Sequence, residues 1–272
     1  MTIARLEQRF GALRAEGRTA LVIYLTLGDP SVEDSVACAL AAARAGADVI
    51  EIGVPFSDPT ADGPVIAAAA YRAIKNGSSF RACLAAVEAI RRETQVPIIF
   101  MTYYNPIVAF GDERAVEEAA RVGADGFLVV DMPPEEGAAL RARAQKESLA
   151  MIPLVAPTTG LDREPALLQS ASGFVYYVSV TGITGTSAAP LGEAAERAAS
   201  LRKRANLPVV IGFGIRTPAD AERAAASGAD GVVVGTEVVR TIASASSTEA
   251  RVAAVEALVS SLRAGLDAKK RA

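Results

Sequence analysis

Two rhythms of apolar residues alternate along the chain. Ile3, Leu6, Phe10 and Leu13 recur at helical spacing among charges, which predicts an amphipathic helix over 3–16. Ala20 to Thr26 is a continuous apolar run, read as a strand closed by Gly28-Asp29-Pro30. Asp29 and Pro30 then read as the start of a helix reaching Arg44, with Gly46 as its C-terminal cap. A strand over Val49–Ile52 follows, and helical patterns occupy 63–75 and 79–92. The unit then repeats. Strands are predicted at 97–101, 126–130, 150–155, 174–178, 208–211 and 231–234. Helical patterns follow them at 113–121, 135–147, 163–170, 191–205, 218–226 and 247–266. A loop rich in Gly, Thr, Ser and Ala spans 179–190, and Gly235-Thr236 opens a short helical turn.

An internal echo supports this parse. Ala45-Gly46-Ala47-Asp48, Val122-Gly123-Ala124-Asp125 and Ser227-Gly228-Ala229-Asp230 each close a helix and open a strand. The glycine supplies a left-handed cap. Eight strand–helix units with no linker-like stretch predict an α/β protein of one domain, residues 1–272. The predicted architecture is a closed (β/α)8 TIM barrel with an extra N-terminal helix. Such barrels commonly run to about 250 residues, and an open doubly wound sheet is the alternative.

Composition excludes several classes. Half the residues are apolar and aromatics are sparse, which suits helices over a parallel sheet. The net charge is −3 with both signs dispersed, so no basic footprint for nucleic acid exists. Cys38 and Cys83 lie in Ala-rich helical patterns and read as small buried apolar residues. They form neither a disulfide framework nor a metal motif. Residues 1–10 mix charge and apolarity, unlike a secretion signal, and no apolar run reaches the ~18 residues of a membrane span. A cytoplasmic protein with no membrane or nucleic-acid partner is the expectation.

The stretch 47–63 carries the first chemistry. Side chains alternate along a strand, so Ile50 and Ile52 share one face while Val49, Glu51 and Gly53 share the other. If the isoleucines meet covering helices, Glu51 points into the middle of the sheet. Asp58 and Asp62 follow in the loop beyond. With no histidine in the chain, proton transfer falls to carboxylates, tyrosines, lysines or cysteines. A desolvated Glu51 would have a raised pKa and could exchange a proton near neutrality. The other reading is a structural acid held by backbone amides or an arginine, and the residues alone leave both open. Asp131, also at a strand exit, reads as a loop or cap residue before Pro133.

A second constellation is glycine-rich: Thr181-Gly182-Ile183-Thr184-Gly185, Gly212-Phe213-Gly214 and Gly235-Thr236. Glycine lets backbone amides approach an anion, and a helix starting after Gly235 adds its positive end. Loops after strands 7 and 8 are a frequent phosphate site in barrels. These loops hold no Lys or Arg, which suggests a monophosphate held by amides. Asp58 and Asp62 lack a third ligand of matching spacing, so no metal is expected. Tyr176 and Tyr177 have opposite facings, and one of them should enter the barrel mouth. Tyr103 and Tyr104 are open between lining a site and packing.

These residues also match a known family. Glu51-Ile52-Gly53-Val54-Pro55-Phe56-Ser57-Asp58-Pro59, continued by Ala61-Asp62-Gly63-Pro64, resembles the signature of the tryptophan synthase α subunit. Leu25-Thr26-Leu27-Gly28-Asp29-Pro30, Gly182-Ile183-Thr184-Gly185 and Val210-Ile211-Gly212-Phe213-Gly214-Ile215 resemble it too, so the likeness spans nearly the whole chain. The resemblance implies a lyase that cleaves indole-3-glycerol phosphate to indole and glyceraldehyde 3-phosphate in tryptophan biosynthesis, with no cofactor in this chain. Glu51 then matches the acid that protonates indole C3, and Asp62 the acceptor for the indole N–H. Tyr24, Leu128 and Tyr176 match pocket positions, with Tyr103 and Phe213 beside them as substrate-binding candidates. Gly185, Gly214, Gly235 and Thr236 match the phosphate site. Thr184 matches a lid residue in 179–190 that orients Asp62 on closure.

The family works with a pyridoxal-phosphate β subunit in an α2β2 complex, and Asp58, Pro59, Asn105 and Pro106 match the rim facing that partner. Some positions depart from the family pattern. Thr60 stands where Leu is frequent, and Thr236 where Ser is usual. Glu237 places a negative charge next to the phosphate turn, and the lid after Gly185 lacks an Arg.

Overall fold

The computed structural model describes residues 3–133, 135–160, 162–169, 171–178, 191–212 and 214–268. The first half runs α1 (Ile3–Ala15), β1 (Ala20–Thr26), α2 (Val32–Arg44), β2 (Val49–Gly53), α3 (Pro64–Lys75), α4 (Phe80–Glu93) and β3 (Ile98–Thr102). Then come α5 (Tyr104–Phe110), α6 (Asp112–Arg121), β4 (Gly126–Val129), α7 (Ala138–Lys146), β5 (Ala150–Met151), β6 (Leu154–Val155) and α8 (Glu164–Gln169). The last part is β7 (Val175–Val178), α9 (Leu191–Ala205), β8 (Val209–Gly212), α10 (Pro218–Ala226), β9 (Gly231–Val234), α11 (Thr236–Ser244) and α12 (Thr248–Asp267).

All strand pairs are parallel, in the order β5-β4-β3-β2-β1-β9-β8-β7-β6. The predicted strand 150–155 is split into β5 and β6 by Pro153, which has no amide to donate. Its two halves join the ends of the sheet. The Ile152 amide donates to Phe127 O at 2.8 Å on one side, and the Tyr176 amide donates to Pro153 O at 3.0 Å on the other. That closes the barrel and sets aside the open sheet.

Alternation along each strand makes two cores. Leu21, Ile23, Leu25, Ile50, Ile52, Phe100, Phe127 and Ile211 face the helices. Ala20, Val22, Tyr24, Val49, Ile99, Leu128, Tyr176, Val210 and Val233 fill the barrel. Helix α1 closes the N-terminal end: Leu6, Phe10 and Leu13 join the inner core, and the Phe10 and Phe174 rings lie 5.5 Å apart.

The three echoed aspartates do the same work at that end. Asp48, Asp125 and Asp230 accept the amides of Leu21, Ile98 and Val209 on the neighbouring strands, at 2.7, 2.7 and 2.9 Å. Each is also paired with an arginine: Arg263, Arg91 and Arg202 respectively. Gly46, Gly123 and Gly228 have φ of +108°, +87° and +80°, as a left-handed cap requires.

Several local readings are corrected. Ser31, not Asp29, caps α2, accepting from the Asp34 amide at 3.0 Å. Asp29 is engaged elsewhere, in a two-pronged pair with Arg72 at 2.8 and 2.7 Å. Helix α5 was not among the predicted elements, and Pro106 falls in its first turn. Proline is tolerated there because first-turn amides need no intrahelical acceptor. Asp131 does not cap the helix that follows it. It accepts the Tyr104 amide at 2.7 Å and so caps α5 across the strand ends. Helix α7 begins at Ala138 because Pro133 O first takes the amides of Glu136 and Gly137. Cys38 and Cys83 are buried, as expected of apolar fillers.

Candidate active site

Strand β2 carries Glu51 into the barrel interior, in register with Tyr24 on β1 and Ile99 on β3. Glu51 is fully buried, and neither carboxyl oxygen has a hydrogen-bond partner. Burial pushes its pKa from 4.5 up to about 8, and the nearby charge of Asp62 adds to the rise.

The other buried acids show how unusual this is. Seven acids are buried among the described residues: Asp29, Asp34, Asp48, Glu51, Asp125, Glu164 and Asp230. Six of them are paired with an arginine: Arg72, Arg251, Arg263, Arg91, Arg197 and Arg202 in that order. Glu51 is the exception. A structural carboxylate would show amides or a guanidinium. The reading of Glu51 as a structural acid therefore fails.

Asp62 lies in the loop after β2, half-buried, with its pKa pushed up to about 6 by burial. A hydrogen bond from the Tyr103 side chain works against that rise. The Tyr103 hydroxyl also accepts the Ala61 amide at 3.0 Å. Asp58, the third acid of the stretch, is exposed and takes the Ser57 hydroxyl at 2.8 Å. The strand exit thus holds an interacting pair of carboxylates and a separate surface acid.

Tyr24 and Tyr176 lie on the inner face near Glu51, and glycines make room for them. A Cβ on Gly53 would lie 2.2 Å from the Tyr24 hydroxyl, and one on Gly235 would lie 3.2 Å from the Tyr24 ring. A Cβ on Gly212 would lie 3.0 Å from the Tyr176 hydroxyl. Tyr24 and Thr26 hydroxyls sit 3.2 Å apart. Burial and the two acids raise the Tyr24 pKa well above its ordinary value, so its hydroxyl stays protonated. Tyr176 enters the barrel and Tyr177 packs outward, as the alternation requires. Leu128 lies fully buried in the inner core.

The glycine-rich turns are described in part. Gly214 is exposed, has φ +61°, and a Cβ there would meet nothing within 4 Å. Gly235 is the N-terminal cap of α11 and Thr236 its first residue. The Glu237 carboxylate lies 3.6 Å from Arg240, a pairing along its own helix. Thr184, Gly185 and Phe213 lie outside the described residues. At the rim, Asp58 and Asn105 are exposed, and Pro59 and Pro106 are half-buried.

Sequence reasoning missed Thr26 and the seating role of Gly53 and Gly212. Period-two spacing from Tyr24 would have placed Thr26 on the inner face. The glycine seats depend on ring positions that no local pattern reveals. Among the described residues no helix is long and apolar enough to cross a membrane.

The profile of the family described as tryptophan synthase alpha chain matches residues 10–267. Solved structures agree. The tryptophan synthase subunit alpha from Legionella pneumophila str. Paris is 35% identical, with TM-score 0.88, covering 97% of this chain and 99% of that one. A chain of Mycobacterium tuberculosis tryptophan synthase is 37% identical, with TM-score 0.88, covering 96% and 98%. A chain from Aquifex aeolicus VF5 is 36% identical, with TM-score 0.87, covering 96% and 98%. Motif, barrel and full-length match agree, and the chain belongs to the tryptophan synthase alpha chain family.

Proposed function

We propose that this chain performs its family's reaction, cleavage of indole-3-glycerol phosphate, with Glu51 and Asp62 as the catalytic residues. The observation that carries the assignment is the buried, unpartnered carboxyl of Glu51 at the inner face of β2. Raised to about 8, it is protonated at neutral pH and can give a proton. The acceptor is C3 of the indole, which becomes tetrahedral and leaves positive charge on the ring nitrogen. Asp62, ionised above about pH 6, accepts the indole N–H and offsets that charge.

The bond from C3 to the glycerol side chain then breaks. Its electron pair returns to the ring, and the adjacent hydroxyl loses its proton to the Glu51 carboxylate as the aldehyde forms. Atoms and charge balance, and the acid is regenerated. Tyr24, Tyr103, Leu128 and Tyr176 would enclose the ring. The phosphate would rest on amides at Gly185, Gly214, Gly235 and Thr236, with Phe213 beside them, and Thr184 would act from the lid. Glu237, turned toward Arg240, need not oppose the anion.

The further proposal is a cytoplasmic α2β2 assembly with a β subunit that carries pyridoxal phosphate. Asp58, Pro59, Asn105 and Pro106 would face it. We read residues 1–272 as a single domain. The test is indole release from indole-3-glycerol phosphate, with and without an added β subunit. Release that rises with β supports the whole reading, and equal release both ways indicates a stand-alone lyase. No release under either condition overturns the lyase assignment for this site.

A further inference from the structure

Helix α3 ends on an asparagine followed by a glycine. Asn76 is the exposed C-cap, and Gly77 follows with φ +83° and open space where a Cβ would be. The pair is chemically labile, because no side chain on Gly77 hinders attack of its backbone nitrogen on the Asn76 side-chain carbonyl. In the fold both groups are engaged. The Gly77 amide donates to Ile74 O at 2.9 Å, and Asn76 Nδ2 donates to Pro30 O at 2.7 Å. The second bond belongs to a clasp that ties the loop after β1 to the end of α3. Within it Arg72 forks onto Asp29 at 2.8 and 2.7 Å, and Ser78 Oγ donates to Leu27 O at 3.1 Å. Asp29 is only 3% exposed, so its charge depends on that guanidinium.

We propose that Asn76 is a modification site: it deamidates spontaneously when the end of α3 opens, and the carboxylate formed undoes the clasp on the loop after β1. The Gly77 nitrogen bonds to Asn76 Cγ, and the Cγ–Nδ2 bond breaks. The amide proton of Gly77 leaves with Nδ2 as ammonia. Water then opens the five-membered imide at either carbonyl, giving aspartate or isoaspartate.

The nitrogen that leaves is the donor to Pro30 O. A charged oxygen takes its place, facing a carbonyl oxygen at the negative end of a helix. Residue 76 is also four positions after Arg72, within reach along the same helix. The new carboxylate therefore competes for the guanidinium that holds buried Asp29, and a buried acid deprived of its partner destabilises its surroundings. With Gly77 N and Asn76 Nδ2 both bonded, the reaction waits on local opening of the helix end.

The first test ages the wild-type chain in mildly alkaline buffer, folded and in urea, and weighs the tryptic fragment 76–81 over time. Replacement of NH2 by OH should appear at residue 76, with isoaspartate present. Two hydrogen bonds must open first, so the folded chain should convert about tenfold to a hundredfold more slowly than the unfolded one. Equal rates overturn control by the helix end. A folded chain less than about a tenth converted after about a hundred unfolded half-lives overturns the site.

The second test is Asn76→Asp, the product made directly. Hydrogen exchange at the amides of 27–29 should speed up by about tenfold. In the Asp29→Asn background Arg72 has no buried charge to serve, so adding Asn76→Asp should raise exchange by less than about threefold. No rise from Asn76→Asp alone overturns the undoing of the clasp, and an equal rise in both backgrounds overturns competition for Arg72. The ageing experiment uses the wild-type chain and decides the modification itself if Asp29→Asn does not fold.

Discussion

Replacing Glu51 by Gln should move chemistry and stability in opposite directions. The amide keeps the side chain's size and has no proton to deliver to C3. Loss of a general acid costs about 10²–10⁴ in rate, so indole release should fall at least about a hundredfold while substrate still binds. Stability follows from the raised carboxyl, about 8 in the folded chain against 4.5 in its absence. Below about pH 4.5 both folded and unfolded chains hold the proton, and the contribution of Glu51 is intact. Between about 4.5 and 8 the unfolded chain releases it and the folded chain keeps it, so stability declines as pH rises. Each pH unit in that window is worth about 1.4 kcal/mol. The decline reaches about 3 kcal/mol at pH 7 and about 5 kcal/mol above pH 8.

Glutamine does not titrate and escapes this decline. Asp62 titrates in both proteins and cancels in the comparison. The buried amide leaves polar atoms unpaired, a cost that does not vary with pH. Urea unfolding at about pH 5 and 7 should therefore show the variant gaining about 2.5 kcal/mol on the wild type between the two. Parallel stability curves would mean that Glu51 ionises as it does in water. Indole release near the wild-type rate would remove it from the chemistry altogether.

The remaining predictions are shorter. The wild-type profile of kcat/KM should be bell-shaped, rising near pH 6 as Asp62 ionises and falling near pH 8 as Glu51 loses its proton; activity still climbing well above pH 9 contradicts the assignment. Asp125→Ala removes the carboxylate that Arg5, Arg91 and the Ile98 amide share at the closed end of the barrel. It should cost about 3–5 kcal/mol in denaturant unfolding with KM unchanged, and a loss under about 1 kcal/mol would show that the pair is dispensable. Gly214→Asp places a side chain at a residue of φ +61° and sets a charge beside the proposed phosphate. The apparent KM should rise about tenfold or more, and an unchanged KM removes Gly214 from that site.

Much of this was legible in the chain. Alternation placed Glu51 inside the barrel and Ile50 and Ile52 outside it, because a strand offers only two faces. The Gly-Ala-Asp echoes marked helix ends correctly, since a left-handed cap is a local matter. Their aspartates were a different matter. Each reaches an amide on a neighbouring strand and an arginine from elsewhere in the chain, as Asp48 does with Leu21 and Arg263. No local pattern contains such a pairing. Asp131 and Asp29 misled for the same reason: both look like caps, and long-range partners had already claimed them. Helix α5 was lost to a proline that is harmless only in a first turn.

The glycines at the open end serve two ends at once. Amide access for the proposed phosphate would account for Gly214, whose φ is positive and where a Cβ would meet nothing within 4 Å. It does not by itself explain Gly53 or Gly212, which lie on strands β2 and β8 facing hydroxyls. Those positions lack a Cβ because Tyr24 and Tyr176 occupy the space. Glu51 beside them is fully buried, and burial is the main cause of its raised carboxyl. Gly235 belongs to both sets, capping α11 where the phosphate would sit and giving room to the Tyr24 ring. A side chain there would push Tyr24 toward Glu51 while crowding the anion. The proposed phosphate turn and the seat of the Tyr24 ring therefore share one residue.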